Sequence, residues 1–242
     1  MNGSPQVAYT SDNKNFETID TDNSVLLDTV LSKAISSAFA PPTPNLSDPL
    51  FIQLRVKSSN KEIYKEIAKS VDNTLKSKLY TGNVTGDTKF SDLMGKIVII
   101  MDKTIDARYN EMSHCSPEET NCYELAKYVN MESGSNYLYL QHYTSVLQQS
   151  PNRPIIMDSS SSMFSTTITT MSIVQPDVVN TTSKNPESIE TFILNQGSQI
   201  IPYRFYSNDK GLFNYEAVFN YWKGGIVPLA LVIKGFEEHK TK

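Results

Sequence analysis

Asp48-Pro-Leu-Phe-Ile-Gln-Leu-Arg-Val-Lys57 and Gly95-Lys-Ile-Val-Ile-Ile-Met-Asp102 decide the fold class. Phe51, Ile52, Leu54 and Val56 in the first stretch, and residues 97–101 in the second, are apolar enough for strands buried on both faces, as a parallel sheet requires. Between them Ile63, Ile67, Val71, Leu75 and Leu79 recur every four residues and predict a covering helix over 59–79. Ser59 and Asn60 can cap it, and Glu62 and Glu66 suit the positive end of its dipole. Strand, helix, strand makes a βαβ unit, and ligands of such sheets bind beyond the carboxyl ends of the strands. Arg55, Lys57, Ser58 and Ser59 stand at the first of those ends, with no carboxylate and no histidine.

The chain has 242 residues and a formal net charge of −4, with Lys and Arg scattered rather than clustered. That length suits one α/β barrel, so a single domain over 1–242 is expected. The charge pattern offers nucleic acid no electrostatic footprint. The amino terminus has neither a basic nor an apolar signal-peptide region, and no run approaches the ~20 apolar residues of a membrane span. Cys115 and Cys122, with Pro117 between them, are able to close a small loop in an oxidising compartment, but two reduced thiols are the expected state. His114 beside Cys115 suggests metal ligation, yet two thiols and one imidazole fall short of a zinc pattern, and no metal site is expected.

Away from the βαβ unit, residues 6–9 read as a short strand and 24–40 as a helix stopped by Pro41-Pro42. Residues 41–49 form a Pro-rich loop. A short helix is expected within 122–131, strands at 136–142 and 170–176, and an apolar triplet at 155–157 followed by the Asp158-Ser-Ser-Ser-Ser162 turn. Asn185-Pro186 reads as a helix start and Gly197 as its stop. A strand at 198–206, a helix at 215–222, a last strand at 227–233 and a charged, frayed tail at 235–242 complete the reading. Tyrosine is frequent in the later half, which suits a contact surface as well as a core.

Several local strings resemble the X region of phosphoinositide-specific phospholipase C, a distorted TIM barrel. Leu93-Met-Gly-Lys-Ile-Val-Ile-Ile100 is similar to that family's strand with Gly-Lys before aliphatics, and Asn195-Gln-Gly-Ser-Gln-Ile-Ile201 to its Gly-Cys-Gln strand, with Ser198 for the cysteine. Residues 25–39 resemble the helix after its second strand. Tyr203-Arg-Phe-Tyr206, with Leu212, Tyr215, Phe219 and Val227-Pro228-Leu229, resembles the phospholipase C-like proteins carried by large double-stranded DNA viruses. The resemblance implies a distorted or incomplete TIM-like (β/α) barrel of the phospholipase C-like phosphodiesterase type.

The departures bear on activity. In the register of the resemblance, the first strand, with a catalytic histidine and its supporting acids, would lie upstream of Met1. Tyr9 falls where the second catalytic histidine belongs, and Arg55 where a calcium-holding glutamate belongs. Phosphodiester cleavage by a neighbouring hydroxyl needs a general base and a general acid with pKa values near the working pH. Tyrosine, with a pKa near ~10, stays protonated, and arginine repels the calcium that clustered oxygens would hold. Losing one such group removes about two to four orders of magnitude in rate.

No catalytic residue is therefore expected, with Asp102 and Asp106 the salvage candidates just beyond a buried strand. Arg55, Lys57 and Arg204 are candidates for an anion pocket, against the plainer reading that Arg204 pairs with a nearby acid. His142 reads as a packed or edge residue and His239 as solvated. The resemblance implies a catalytically silent barrel with a structural or interaction role, in a virion or the host cytoplasm, with capsid proteins or a second copy as partners and no cofactor. Two alternatives stand beside it: a phosphoric diester hydrolase completed by an upstream segment or partner, acting on phospholipid with calcium, and a phosphate or lipid-headgroup binding module.

Overall fold

The computed structural model describes residues 3–8, 24–148, 171–177 and 184–240. It is a mixed α/β structure whose chain divides into two compact units, Met1–Gly134 and Ser135–Lys242.

The first unit opens with two short antiparallel strands, β1 (Gln6–Ala8) and β2 (Ser24–Leu26), with Val7 opposite Val25. Helix α1 (Leu27–Ala38) follows at once and ends before Pro41-Pro42, as the sequence predicts. Next come β3 (Leu50–Leu54), α2 (Lys61–Leu75), the single turn α3 (Phe90–Leu93) and β4 (Ile97–Asp102). After the short α4 (Tyr109–Met112) and a 3₁₀ turn at Leu125–Lys127 the chain enters β5 (Met131–Ser133). β3, β4 and β5 are mutually parallel, with Ile52 opposite Ile99 and Asp102 opposite Ser133.

Every residue of β4 is buried. Ile97, Ile99 and Met101 pack with Tyr64, Ile67, Val71 and Leu75 of α2 and with Leu31 of α1 in one apolar cluster. Strand alternation turns Val98, Ile100 and Asp102 to the opposite face, where they are equally enclosed. β3, with one strand neighbour among the described residues, buries only Leu54 fully, so the expected burial on both faces holds for β4 and not for β3. Helix α2 begins where Asn60 accepts a hydrogen bond from the Glu62 amide and ends four residues before Leu79, which forms a bridge to Ile97 instead of a helical turn. Asn130 is a buried amide that the sequence did not single out. Its Oδ1 accepts from the Ile99 amide at 2.8 Å and its Nδ2 donates to the carbonyls of Tyr80 (3.0 Å) and Gly82 (2.7 Å), tying β4 to the loop after α2.

Cys115 and Cys122 are joined in a disulfide, with Cα atoms 5.9 Å apart, which corrects the expectation of reduced thiols. The Ser116 amide donates to Glu119 Oε2 and the Cys115 amide to Glu124 Oε1, and these bonds fold the intervening segment back so that the two thiols meet. Lys65 of α2 reaches Glu119 at 2.6 Å and docks the loop on the helix.

The second unit contains β6 (Leu138–His142), α5 (Tyr143–Gln148), β7 (Met171–Gln175), α6 (Glu190–Gln196), α7 (Lys210–Trp222) and α8 (Leu229–Lys240). β6 and β7 are parallel, from Leu138 opposite Met171 to His142 opposite Gln175. Val174, Tyr143, Phe192, Ile193, Tyr203, Leu212 and Ile233 belong to its apolar core. Tyr203 stacks on Tyr215 at 4.2 Å between ring centres, while Tyr137, Tyr139 and Tyr221 face solvent, so tyrosine serves both roles the sequence allowed.

Three expectations fail in this unit. The strand foreseen at 227–233 is the start of α8. Leu229, Val232, Ile233 and Phe236 follow helical spacing on the core side, and a short aliphatic run does not distinguish the two periods. The same helix runs on to Lys240, with Lys234 3.7 Å from Glu238 one turn on. Ser198–Tyr206 forms only a bridge between Ile173 and Ile200, since Pro202 has no amide to extend a ladder. Asn185 caps no helix. Its amide donates to Asp209 and its side chain to the Arg204 carbonyl, and α6 starts at Glu190. Gly197 does end α6, with φ +61°. In the first unit, the short helix expected within 122–131 is a single 3₁₀ turn followed by β5. The readings at 155–157 and 158–162 lie outside the described residues.

Replacing Asn130 by Ala strands the Ile99 amide and two loop carbonyls, and urea unfolding is expected to show a loss of about 2–4 kcal/mol. For the disulfide, alkylation of the unfolded, unreduced protein is expected to label neither cysteine, and reduction to cost about 2–3 kcal/mol for a loop this short.

Candidate functional site

The carboxyl ends of β3, β4 and β5 bring together the polar residues of the first unit. Arg55 follows β3 and Asp102 ends β4 on the face away from α2. The Arg55 Nε donates to Asp102 Oδ2 at 2.8 Å. Asp102 is wholly buried and Arg55 about a third exposed, with side-chain exposures of 0% and 32%. The other carboxylate oxygen, Oδ1, accepts from the Thr104 amide (3.0 Å) and hydroxyl (2.6 Å). On the same face Gln53 Nε2 donates across β4 to the Ser133 hydroxyl at 2.9 Å. A carboxylate removed from water must be met by donors, and here three meet it.

Asp106, the second salvage candidate, is apart from this pair. It accepts from the Tyr64 hydroxyl at 2.5 Å and from the Arg108 amide at 2.8 Å, the latter a turn-capping bond. Glu132, which sequence reasoning missed, points to the other face of β5, where Lys103 Nζ (2.9 Å) and the Tyr109 hydroxyl (2.8 Å) both reach it. Burial pushes the Glu132 carboxyl up, but the hydrogen bonds from Lys103 and Tyr109 outweigh it and hold the group below its ordinary 4.5. Tyr64 and Tyr109 are pushed well above the usual phenol value, first by burial and then by donating to Asp106 and Glu132. Neither phenol is a ready proton acceptor. Lys57 follows β3 with a half-buried side chain, and Tyr9 lies outside the described residues.

Arg204 belongs to the second unit and is 94% buried, being 6% exposed. It pairs with no carboxylate among the described residues. Its guanidinium donates to the carbonyls of Asp177 (3.0 Å) and Lys184 (3.3 Å) and lies 5.7 Å from the ring centre of Tyr143. The Arg204 backbone is held by Asn185, which in turn binds Asp209, the cap of α7. Burial raises the Asp209 carboxyl, yet backbone hydrogen bonds from Asn185 and Leu212 prevail and lower it overall. Gly211 fits where α7 crosses Pro186, since a Cβ there would come within 2.4 Å of the Pro186 carbonyl.

His114 is an exposed surface residue 3.2 Å from Glu124. Beside it, Cys115, Glu119 and Cys122 are close enough to be considered as metal ligands, but both sulfurs are bonded to each other and neither is a thiolate. No helix among the described residues is long and apolar enough to cross a membrane.

A group whose folded pKa is depressed contributes stability that is present above its ordinary value and is lost as pH falls through the depressed one. Glu132 is such a group, so stability is expected to decline below about pH 4.5. In Glu132→Gln that acid limb is expected to be shallower in pH-dependent urea unfolding. No protein-family model matches the sequence, and no curated protein matches it.

Proposed function

We propose that the chain is a catalytically silent α/β scaffold, an incomplete TIM-like barrel of the phospholipase C-like type, with a structural or interaction role and, following the viral resemblance, a place in a virus particle. The observation that carries this reading is the state of the acids at the strand ends. Asp102 is closed by Arg55 and Thr104, Asp106 by Tyr64 and the Arg108 amide, and Glu132 by Lys103 and Tyr109. A general base needs a lone pair directed at the substrate, and each of these carboxylates already directs its oxygens at internal donors. Arg55 adds a fixed positive charge beside the best-placed acid, which suits ion pairing and not a calcium cage. The interaction role draws on β3, a strand with one neighbour among the described residues, because such edges offer backbone groups to a capsid protein or a second copy.

With calcium present, the purified chain is expected to release no product from phosphatidylinositol vesicles or from a soluble cyclic inositol phosphate. Turnover that disappears in Asp102→Asn would overturn the silent-scaffold reading and favour the phosphodiesterase.

A further inference from the structure

Among the described residues three buried polar side-chain atoms lack a hydrogen-bond partner, and two of them, His142 Nδ1 and Gln175 Nε2, sit on neighbouring strands of the second unit. His142 is the last residue of β6 and Gln175 the last of β7, and they are direct partners in the parallel register. Register partners project to the same face, so both side chains leave the same side of the sheet at its carboxyl edge. That is where α/β sheets hold ligands. Gln175 is 3% exposed. Leaving a donor of this kind unmatched is costly, and folded proteins rarely tolerate it without a reason.

A buried cation stands at the same strand ends. Arg204 donates to the carbonyl of Asp177, two residues beyond Gln175, and lies over the ring of Tyr143, the residue after His142. Among the described residues its side chain uses two of five guanidinium N–H donors, and both go to neutral carbonyls. Asp177, the adjacent acid, has its Oδ2 engaged by the amide and hydroxyl of Thr144.

We infer that the carboxyl edge of β6 and β7 binds an oxyanion, a phosphate or carboxylate group, through His142 and Gln175, with Arg204 supplying the countercharge. Amide and imidazole N–H groups donate to such oxygens, and a buried guanidinium favours their charge over a neutral ligand. The site uses none of the first-unit residues on which the silent-scaffold reading rests, so it stands or falls separately from that reading.

The test is a titration of the full chain with inorganic phosphate and, in a parallel arm, with acetate, following imidazole resonances by long-range proton–nitrogen correlation. The chain has three histidines. The expected result is a saturable shift of His142 alone in at least one arm, with His114 and His239 as internal controls. In Gln175→Leu the apparent Kd is expected to rise about tenfold or more. No saturable shift in either arm, the pattern of a trapped water bridging the two atoms, would overturn the site. So would equal shifts at all three histidines, or an unchanged Kd in the variant. If Gln175→Leu does not fold, the wild-type titration decides alone.

Discussion

A carboxylate with no access to water constrains the first unit more than any other group. Asp102 ends a strand enclosed on both faces, and its charge is tolerable only because Arg55 and Thr104 converge on it. That requirement fixes the chain after β3 against the chain after β4, and the Gln53 to Ser133 bond repeats the arrangement across β4 one layer below. The sheet is thus sealed by polar pairing at its carboxyl edge and by aliphatic packing against α2 on its other face. At the end of β4 both oxygens of the buried carboxylate are taken up by internal donors.

A different device organises the second unit. With two paired strands and a bridge, it has less ladder to rely on, and a relay of Asp209, Asn185 and the Arg204 backbone links the α7 cap to the segment after Ile200. Burial lifts the Tyr215 phenol to about 12, and its ring stacks on that of Tyr203. The polar relay and the aromatic stack hold the irregular segment 201–209 in place without regular secondary structure.

The βαβ unit was legible because its signals are long and consistent: two aliphatic runs and a stripe of period four, all local. Asn60 as a cap and Gly197 as a stop were legible for the same reason, each being set by its immediate neighbours. Errors gathered where tertiary context decides. A run of aliphatics after Pro228 fits strand or helix equally until the core shows which period faces it. Asn185-Pro186 carries a helix-start pattern, but Asp209, 24 residues away, competes for the asparagine and wins. At the site, Arg55 and Asp102 were both named from strand-end position, while their mutual closure was not visible. Glu132 and Asn130 went unnoticed because β5 is three residues long and shows no periodicity.

The brevity of β3 has a physical outcome for the protein at high concentration. The strand is five residues long, bounded on one side by Pro49, which has no amide to donate, and on the other by the charges of Arg55 and Lys57. Proline and like-charged residues act as gatekeepers against cross-β stacking, because in-register copies would juxtapose the same cations at every layer. Among the described residues the margin of β3 is therefore a short one, flanked at both ends by residues that disfavour in-register stacking.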